Sequence, residues 1–191
     1  MPAIKRIKKI AQSKIGLFFI TGVNGAGKTT IVPLLRRTLP AHYVVYDFDQ
    51  RGVPDNVTHQ WRKDETTYWI QQAQKNAEKN ISTIICGLTW PSEVHTGVAN
   101  LRRKEVHLAL LDLSQTAIRQ RLNQRFLTKA SIKRLLRVTG LTPEQCIVAN
   151  IAHAKLLRKD CKKYHYRVFN TSRTTTEQTL KKLTRWIISQ T

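Results

Sequence analysis

The chain has 191 residues, of which 41% are hydrophobic and 24% are charged. This composition suits one folded α/β domain, and it excludes a disordered protein and a chain of two ordinary domains. No apolar run approaches the roughly 18 residues that a membrane span needs. Lys and Arg outnumber Asp and Glu by 33 to 12, so the net charge of +21 is compatible with nucleic acid or another polyanion without requiring one.

Strands and helices are predicted to alternate along the chain. The apolar run Leu17–Thr21 predicts the first strand, and further strands are expected at 43–47, 81–86, 106–113 and 166–170. Helices are expected at 28–39, 58–79, 142–163 and 176–189. The start of the third is marked by Thr142, Pro143 and Gln145, which fit a capping box with proline at the first helical position. The alternation predicts a three-layer α/β/α fold with a five-stranded, mostly parallel sheet.

The amino-terminal segment and the cysteines give further expectations about the chain. Residues 1–14 form a basic tail that lacks the continuous apolar core of a secretory signal. The three cysteines, Cys86, Cys146 and Cys161, form neither a C-x-x-C pair nor a cluster with histidine. This spacing predicts reduced thiols and a cytoplasmic protein. We expect a single domain over residues 1–191, which includes this tail.

A glycine-rich turn, Gly22-Val23-Asn24-Gly25-Ala26-Gly27-Lys28-Thr29, lies between the first strand and the first helix. The pattern Gly-x-x-x-x-Gly-Lys-Thr in this context predicts a loop whose backbone N–H groups surround the phosphates of ATP at a helix N-terminus. Lys28 is expected at the β- and γ-phosphates, Thr29 at Mg²⁺ and Thr30 at the α-phosphate. The predicted ATP-binding residues in the loop are Gly22, Asn24, Gly25, Ala26, Gly27, Lys28, Thr29 and Thr30.

An acidic pair, Asp47 and Asp49, follows the second predicted strand. On an extended chain the two carboxylates would point the same way, with Phe48 opposite. One would hold Mg²⁺ through water, and the other would accept the proton of an attacking hydroxyl. We assign the metal to Asp47 and the acceptor to Asp49, although the split stays open and a simple turn-forming pair is the alternative. The third strand ends at Cys86 without the carboxylate that many P-loop NTPases use for metal.

Two further positions are candidates for binding the phosphoryl acceptor. Arg62, beside Trp61, would recognise an anionic group or serve as a surface charge. Gly87 would let the acceptor approach the backbone after the third strand. The aromatic residues Trp61, Tyr68 and Trp69 fit a core better than a base-stacking surface, and Asp112 fits a structural role.

The segment 115–141 is basic and contains no acidic residue. If it is helical throughout, Arg121, Arg125 and Lys129 recur at steps of four and share one side, where they would face a triphosphate. A basic segment that closes over the site would exclude water and prevent simple hydrolysis of ATP. For any single residue in it, a solvated basic face is the alternative.

The order of these motifs resembles that of a known group of proteins. The glycine-rich loop, Asp47-Phe48-Asp49, Arg121-Leu122-x-x-Arg125 and Asn170-Thr171-Ser172-Arg173 follow one another as in P-loop small-molecule kinases. These include shikimate, gluconate, nucleoside and nucleoside-monophosphate kinases and uncharacterised AAA-type ATPase relatives. The resemblance covers about residues 15–188. The three-glycine run that shikimate kinases carry after the third strand is absent, which argues against shikimate.

The resemblance implies roles by position. The segment after the second strand would bind the acceptor, and 115–141 would be the lid. Arg121 would lie at the base of the lid near adenine and the phosphates. Arg125, or a later basic residue, would close over the transferred phosphoryl group, and Arg173 would lie at the edge of adenine.

The sequence therefore predicts an ATP- and Mg²⁺-dependent phosphotransferase whose acceptor is a small-molecule hydroxyl or phosphate, in a nucleoside, nucleotide or sugar-like molecule. One alternative is a nucleic-acid-directed enzyme, such as a polynucleotide 5′-hydroxyl kinase, which the net charge of +21 favours. The others are an NTPase without an acceptor and a non-catalytic RNA-binding module that retains the loop.

Overall fold

The computed structural model describes residues 15–98 and 106–191, and the predicted basic tail lies outside these residues. The described strands are β1 (Leu17–Thr21), β2 (Tyr43–Asp47), β3 (Ser82–Cys86), β4 (Val106–Asp112) and β5 (Arg167–Asn170). They form one sheet in the order β2-β3-β1-β4-β5, and every pair is parallel. The predicted five-stranded α/β sheet is confirmed.

Seven helices are described. They are α1 (Lys28–Thr38), α2 (His59–Ala77), α3 (Pro91–Gly97), α4 (Gln115–Arg125), α5 (Lys129–Thr139), α6 (Pro143–Lys163) and α7 (Thr176–Ile188). The bounds of the four that were expected, α1, α2, α6 and α7, lie close to the prediction. Thr142 and Gln145 form the predicted capping box at the start of α6. The largest departure is in 115–141, which forms two helices.

The two central strands, β1 and β3, are buried at every position. Covered strands of this kind are rich in Phe, Ile and Leu because helices pack on both faces of a parallel sheet. The chain moves from β1 to β2 in one direction across the sheet and from β2 onward in the other. With right-handed crossovers, α1 therefore lies on the opposite face from α2, α3 and α6.

The direction of the connections reverses at β1: the connection that leaves β1 crosses one face of the sheet, whereas those that leave its neighbours β3 and β4 cross the other face. Open parallel sheets bind ligands in the crevice at the carboxyl ends of the strands beside such a reversal. Here that edge carries the glycine-rich loop after β1, the acidic pair after β2 and the segment 115–141 after β4. In the described parts of the chain, no helix is long and apolar enough to cross a membrane.

Candidate active site

The glycine-rich loop leads directly into α1, which begins without a side-chain cap. Gly27 is the N-cap at φ 94°, a left-handed conformation that favours glycine, and no described side chain caps the helix. In contrast, α2, α4, α5, α6 and α7 are each capped by a Ser or Thr hydroxyl. The N–H groups of the first turn of α1 are therefore not taken up by a side chain, as an anion-binding helix N-terminus requires.

Lys28 extends over this loop. Its Nζ donates to the carbonyl oxygens of Gly22 and Val23 at 2.6 Å and 2.9 Å. Burial lowers the pKa of Lys28 to about 8; Asp49 and Asp47 oppose this shift, and the guanidinium of Arg125 adds to it. The ammonium group is thus held at the loop among charges from two other segments, the acidic pair and the end of α4. Thr29 and Thr30 are exposed on the first turn of α1.

Two distant side chains fix the conformation of the loop. The backbone N–H of Asn24 donates to Oδ1 of Asn150 at 2.9 Å, across 126 residues of sequence. Arg121 donates to the carbonyl oxygens of Gly25 at 3.0 Å and Thr171 at 2.8 Å. Arg121 thereby joins the loop to the turn after β5, where Arg173 is exposed. The sequence did not indicate Asn150, because a lone asparagine inside a helix belongs to no recognisable pattern.

The acidic pair adopts a turn and not the extended geometry that we expected. β2 ends at Asp47, whose Oδ1 accepts from the backbone N–H of Asp49 at 3.0 Å, while its carbonyl accepts from that of Gln50 at 3.1 Å. The expectation of alternating side chains is wrong here, because an aspartate side chain can bond its own backbone two residues on and so favours a turn. The carboxylates are still brought together, since each lies at this short turn.

Phe48, between the two carboxylates, is fully buried and fixes the turn on the sheet. Its carbonyl accepts from the indole N–H of Trp69 at 3.1 Å. A Cβ added at Gly87 would lie 2.1 Å from Cβ of Phe48, so this glycine is required by the packing under the turn. Because Gly87 has no side chain, Phe48 can pack against it, and this packing helps to position the neighbouring Asp49.

Several charged groups lie close enough to Asp49 to affect the pKa of its carboxyl. Burial of the carboxyl raises its pKa, and Asp47 raises it further, while Arg62, Lys28 and Arg134 lower it. The residue as a whole keeps exposed surface, so the carboxyl is crowded by protein but open to a ligand. Because Arg134 belongs to α5, the segment 115–141 comes close enough to the acidic turn to affect the pKa of Asp49.

Arg62 links the acidic turn to a cavity. Its side chain is half-buried and donates to the carbonyl of Leu88 at 3.3 Å. Burial lowers its pKa, and the carboxylates of Asp49 and Glu93 oppose that shift. Arg62 also lines a cavity of about 1010 Å³ bounded by α2, α3, the end of α5 and α6. We call this the α2–α3–α6 cavity.

The expectation that Arg121, Arg125 and Lys129 share one face of a continuous helix is wrong. α4 ends at Arg125, and the hydroxyl of Thr128 accepts from the backbone N–H of Ser131 to start a new helix, α5. Arg125 is nevertheless close enough to Lys28 to affect its pKa. The corner between α4 and α5 therefore directs different basic residues to the loop and to the acidic turn.

The end of α5 is tied to the loop that precedes α2. The backbone N–H groups of Asn56 and Val57 donate to the carbonyls of Arg137 at 3.4 Å and Val138 at 3.1 Å. Nε of Arg137 lies 3.4 Å from a carboxylate oxygen of Asp55. These contacts close one side of the α2–α3–α6 cavity.

Thr29 and Asp47 bring two side-chain oxygens to the same edge of the sheet. Thr29 lies on the first turn of α1, and Asp47 ends the neighbouring strand but one. Within residues 15–98 and 106–191, no group of three or more His, Cys, Asp or Glu side chains is arranged to hold a metal. A hard-oxygen pair of this kind fits Mg²⁺, which commonly takes one or two protein ligands and completes its shell with phosphate and water.

The other residues considered from the sequence have structural contacts. Trp69 is buried, and Trp61 packs edge-on against Phe48, as expected for core residues. Both carboxylate oxygens of Asp112 lie 2.8 Å from Nε of Arg158, in keeping with a structural role.

The fold is similar to that of several kinases of known structure. The shikimate kinase from Acinetobacter baumannii in complex with shikimate is similar at a TM-score of 0.57 and 17% identity, over 94% of this chain and 96% of that chain. The thymidylate kinase from Candida albicans matches at 0.59 and 14%, over 92% of each chain. At these identities the likeness shows the fold alone.

A chain of the Pnkp1/Rnl/Hen1 RNA repair complex is similar at a TM-score of 0.57 and 16% identity, over 88% of this chain. The present chain spans about half of that one, 52% of its length. No protein-family model and no curated protein matches the sequence.

Proposed function

We propose that the chain is an ATP-dependent kinase that transfers the γ-phosphoryl group to a hydroxyl of a small-molecule acceptor. The observation that carries this proposal is the juxtaposition of Lys28, in the phosphate loop, with Asp49, in the acidic turn, since each perturbs the pKa of the other. A phosphate-binding cation and a carboxylate with a raised pKa are the two groups that phosphoryl transfer to an alcohol uses.

The residues divide the reaction among them. Backbone N–H groups of the loop, with Lys28, Thr29 and Thr30, bind the triphosphate. The hydroxyl oxygen of the acceptor molecule forms a bond to the γ-phosphorus, and Asp49 takes up the proton that this hydroxyl loses. The bond from that phosphorus to the β–γ bridging oxygen breaks, and its electron pair leaves with ADP. Asp49 needs to be ionised to act, and a raised pKa makes it a stronger base once ionised.

The segment 115–141 acts as the lid in this proposal. Arg125, near Lys28, and Arg134, near Asp49, neutralise charge on the transferred group, and Arg121 holds the loop in place. A lid that excludes water favours transfer over hydrolysis. Mg²⁺, held by Thr29 and by Asp47, would supply further charge neutralisation on the phosphates. Arg173, in the turn that Arg121 contacts, would lie at the edge of adenine.

The substitution Asp49→Asn tests the assignment. It removes the proton acceptor and keeps the side-chain shape, so we expect transfer to fall by about 10²- to 10⁴-fold while ATP affinity is retained. ADP release with Mg²⁺-ATP and an acceptor panel measures transfer, and calorimetry measures ATP affinity. Undiminished transfer by the variant would refute the role of Asp49.

A nucleic-acid acceptor is the second candidate, favoured by the charge of residues 106–191, which hold 17 Lys and Arg against four Asp and Glu. A polynucleotide 5′-hydroxyl kinase would bind a 5′-hydroxyl oligonucleotide with an affinity that falls steeply with salt. It would also release ADP faster with the oligonucleotide than with the corresponding free nucleoside.

A further inference from the structure

Polar and apolar residues both line the α2–α3–α6 cavity. The polar lining residues of α2 and α3, which we call the polar wall, include Arg62, Thr66 and Glu93. The apolar lining residues include Trp90, which directly precedes α3, and Leu156 of α6. The cavity adjoins the acidic turn, because Arg62 and Leu88 line it and Gly87, the residue before Leu88, packs against Phe48. A molecule in this cavity would therefore present one end to Asp49.

The polar wall contains a hydroxyl that is ready to bond a ligand. Thr66 is 3% exposed, and its Oγ1 has no hydrogen-bond partner within residues 15–98 and 106–191. Buried polar atoms are nearly always hydrogen-bonded, so an orphan in a cavity wall marks a position where a ligand supplies the partner. Glu93 stands nearby with its side chain 11% exposed and Oε1 3.0 Å from Nε2 of His59.

The formal charges of the cavity balance, unlike those of the chain. Among the described lining residues, the cations Arg62 and Lys63 are matched in number by the carboxylates Glu93 and Asp160. An acceptor that carries a phosphate would place roughly two negative charges beside the largely buried carboxylate of Glu93. Like charges at close range are strongly disfavoured. A balanced wall with donors and acceptors suits an uncharged molecule that carries hydroxyl groups.

The size of the cavity further restricts the class of acceptor molecule that fits it. A volume of about 1010 Å³ lies at the upper end of the roughly 300–1,000 Å³ found for pockets that enclose drug-sized ligands. A single six-carbon sugar would leave most of it unfilled. The indole of Trp90, with the ring of His153 edge-on to it at 5.4 Å, adds a flat surface of the kind that packs against a planar group.

We infer that the phosphoryl acceptor is an uncharged alcohol of nucleoside size, a polyol joined to a planar ring. Its ring lies against Trp90 and Leu156, its hydroxyl groups bond Thr66 and Glu93, and its reacting hydroxyl lies at Asp49 beside Arg62. This assignment rests on the proposed kinase function. It selects a hydroxyl acceptor over a nucleotide, and a free nucleoside over an oligonucleotide.

The first experiment compares probes on the full chain with Mg²⁺-ATP. Adenosine and uridine represent the inferred class; the controls are their 5′-monophosphates, glucose and a short 5′-hydroxyl oligonucleotide. We expect at least one nucleoside to stimulate ADP release about tenfold more than each control, because the balanced walls penalise the extra charge. Equal or greater stimulation by a monophosphate, by glucose or by the oligonucleotide overturns the inference and leaves a kinase.

Calorimetry with Mg²⁺-ATP on the same samples separates the two proposals. If ATP binds and no probe stimulates ADP release, the acceptor class is wrong while nucleotide binding stands. If ATP does not bind, the proposed function fails first.

The second experiment changes the cavity walls. Leu156 and Val148 both lie on α6 and are 51% and 53% exposed, and only Leu156 lines the cavity. We expect Leu156→Trp to raise KM for the preferred nucleoside by about tenfold through loss of space, while Val148→Trp, the matched control, leaves it unchanged. ATP affinity should be the same in both variants. Equal KM values in the two variants would show that the acceptor binds elsewhere.

A change at Glu93 tests the selection against phosphate. Glu93→Gln removes the negative charge and keeps a hydrogen-bonding group, so the preference for nucleoside over its monophosphate should fall about tenfold. A merely structural role for Glu93 would lower both rates together and leave the ratio unchanged, which would contradict the inference.

Discussion

The two described parts of the chain differ sharply in charge. Residues 15–98 hold eight Lys and Arg against seven Asp and Glu, whereas residues 106–191 hold 17 against four. The first part supplies the phosphate loop, the acidic turn and much of the α2–α3–α6 cavity; the second supplies α4 to α7. Of the net charge of +21, residues 106–191 contribute +13 and residues 15–98 contribute +1. The excess of positive charge is therefore not located in the part that supplies the phosphate loop and the acidic turn.

Within the basic part, the arginines differ in what they contact. Arg121 donates to two backbone carbonyls, and Arg158 is held by Asp112. Arg125 and Arg134 act on Lys28 and Asp49. Lys181 and Lys182, in contrast, are exposed on α7. Charges exposed to solvent are screened over about 8–10 Å at ordinary salt, so only the arginines near the loop and the acidic turn can affect the chemistry directly.

Among the changes considered below, the largest effect on transfer is expected at Lys28, in the part of the chain whose charges nearly balance, residues 15–98. Lys28→Met should lower transfer by about 10²- to 10³-fold or more, because a charged donor to the transferred phosphate is lost. The unliganded variant should be no less stable than the parent, since burial already disfavours the ammonium, as its lowered pKa indicates. Calorimetry and thermal unfolding give the two readouts. Unfolding at a clearly lower temperature would mean that Lys28 stabilises the loop itself.

The pKa of Lys28 predicts how ATP affinity depends on pH. In the unliganded protein this pKa is lowered from 10.5 to about 8, so the ammonium loses its proton as pH rises through 8. ATP affinity should therefore weaken between pH 7.5 and 9, by about tenfold for each pH unit well above that pKa. Lys28→Arg stays charged throughout and should show no such decline, although its affinity will be lower at every pH. Calorimetric titrations across this range provide the measurement.

The same pKa has a consequence for stability. Where the folded chain has lost the Lys28 proton and the unfolded chain keeps it, stability rises with pH. For Lys28 this window runs from about pH 8 to the ordinary value of 10.5; below it the destabilisation by the buried ammonium is fully present and does not change with pH. Denaturant titrations of the unliganded protein and of Lys28→Met should therefore converge as pH rises through the window.

Two substitutions near the acidic turn should shift the pKa of Asp49 in opposite directions. Asp47 raises the pKa of Asp49 and Arg62 lowers it. Asp47→Asn should shift the acidic limb of the pH–rate profile to lower pH, and Arg62→Gln should shift it to higher pH. Asn keeps the oxygen that accepts from the backbone N–H of Asp49, so the turn should persist. Shifts in the same direction would mean that another group controls this limb.

Most of the fold could be predicted from the sequence because its signals are local. Apolar runs marked the strands, and Thr142 with Gln145 marked the start of α6. The loop from Gly22 to Thr29 was recognisable because its chemistry requires fixed spacing along the chain. Arg121 was singled out because the order of motifs resembles that of the kinases, and in the structure it contacts the glycine-rich loop.

What the sequence did not reveal depends on contacts between distant segments or on competition at a single turn. The α2–α3–α6 cavity combines residues from 57–67, 88–97 and 138–160, so no local pattern marks it. Asn150 reaches the loop across 126 residues. The turn at Asp47 arose because its own side chain bonds the backbone, a local alternative to the extended chain that alternation alone does not exclude.

The smallest effect on catalysis is expected from the outer part of the basic surface. Lys181→Glu combined with Lys182→Glu reverses two exposed charges on α7 and should leave ADP release with small acceptors unchanged. The pair Lys181→Gln and Lys182→Gln controls for the loss of the side chains. If this surface holds single-stranded nucleic acid, removing two phosphate contacts would reduce the slope of log affinity against log salt by about 1.4. A fall in ADP release with a nucleoside, and not only in oligonucleotide binding, would show that the basic surface and the balanced site act together.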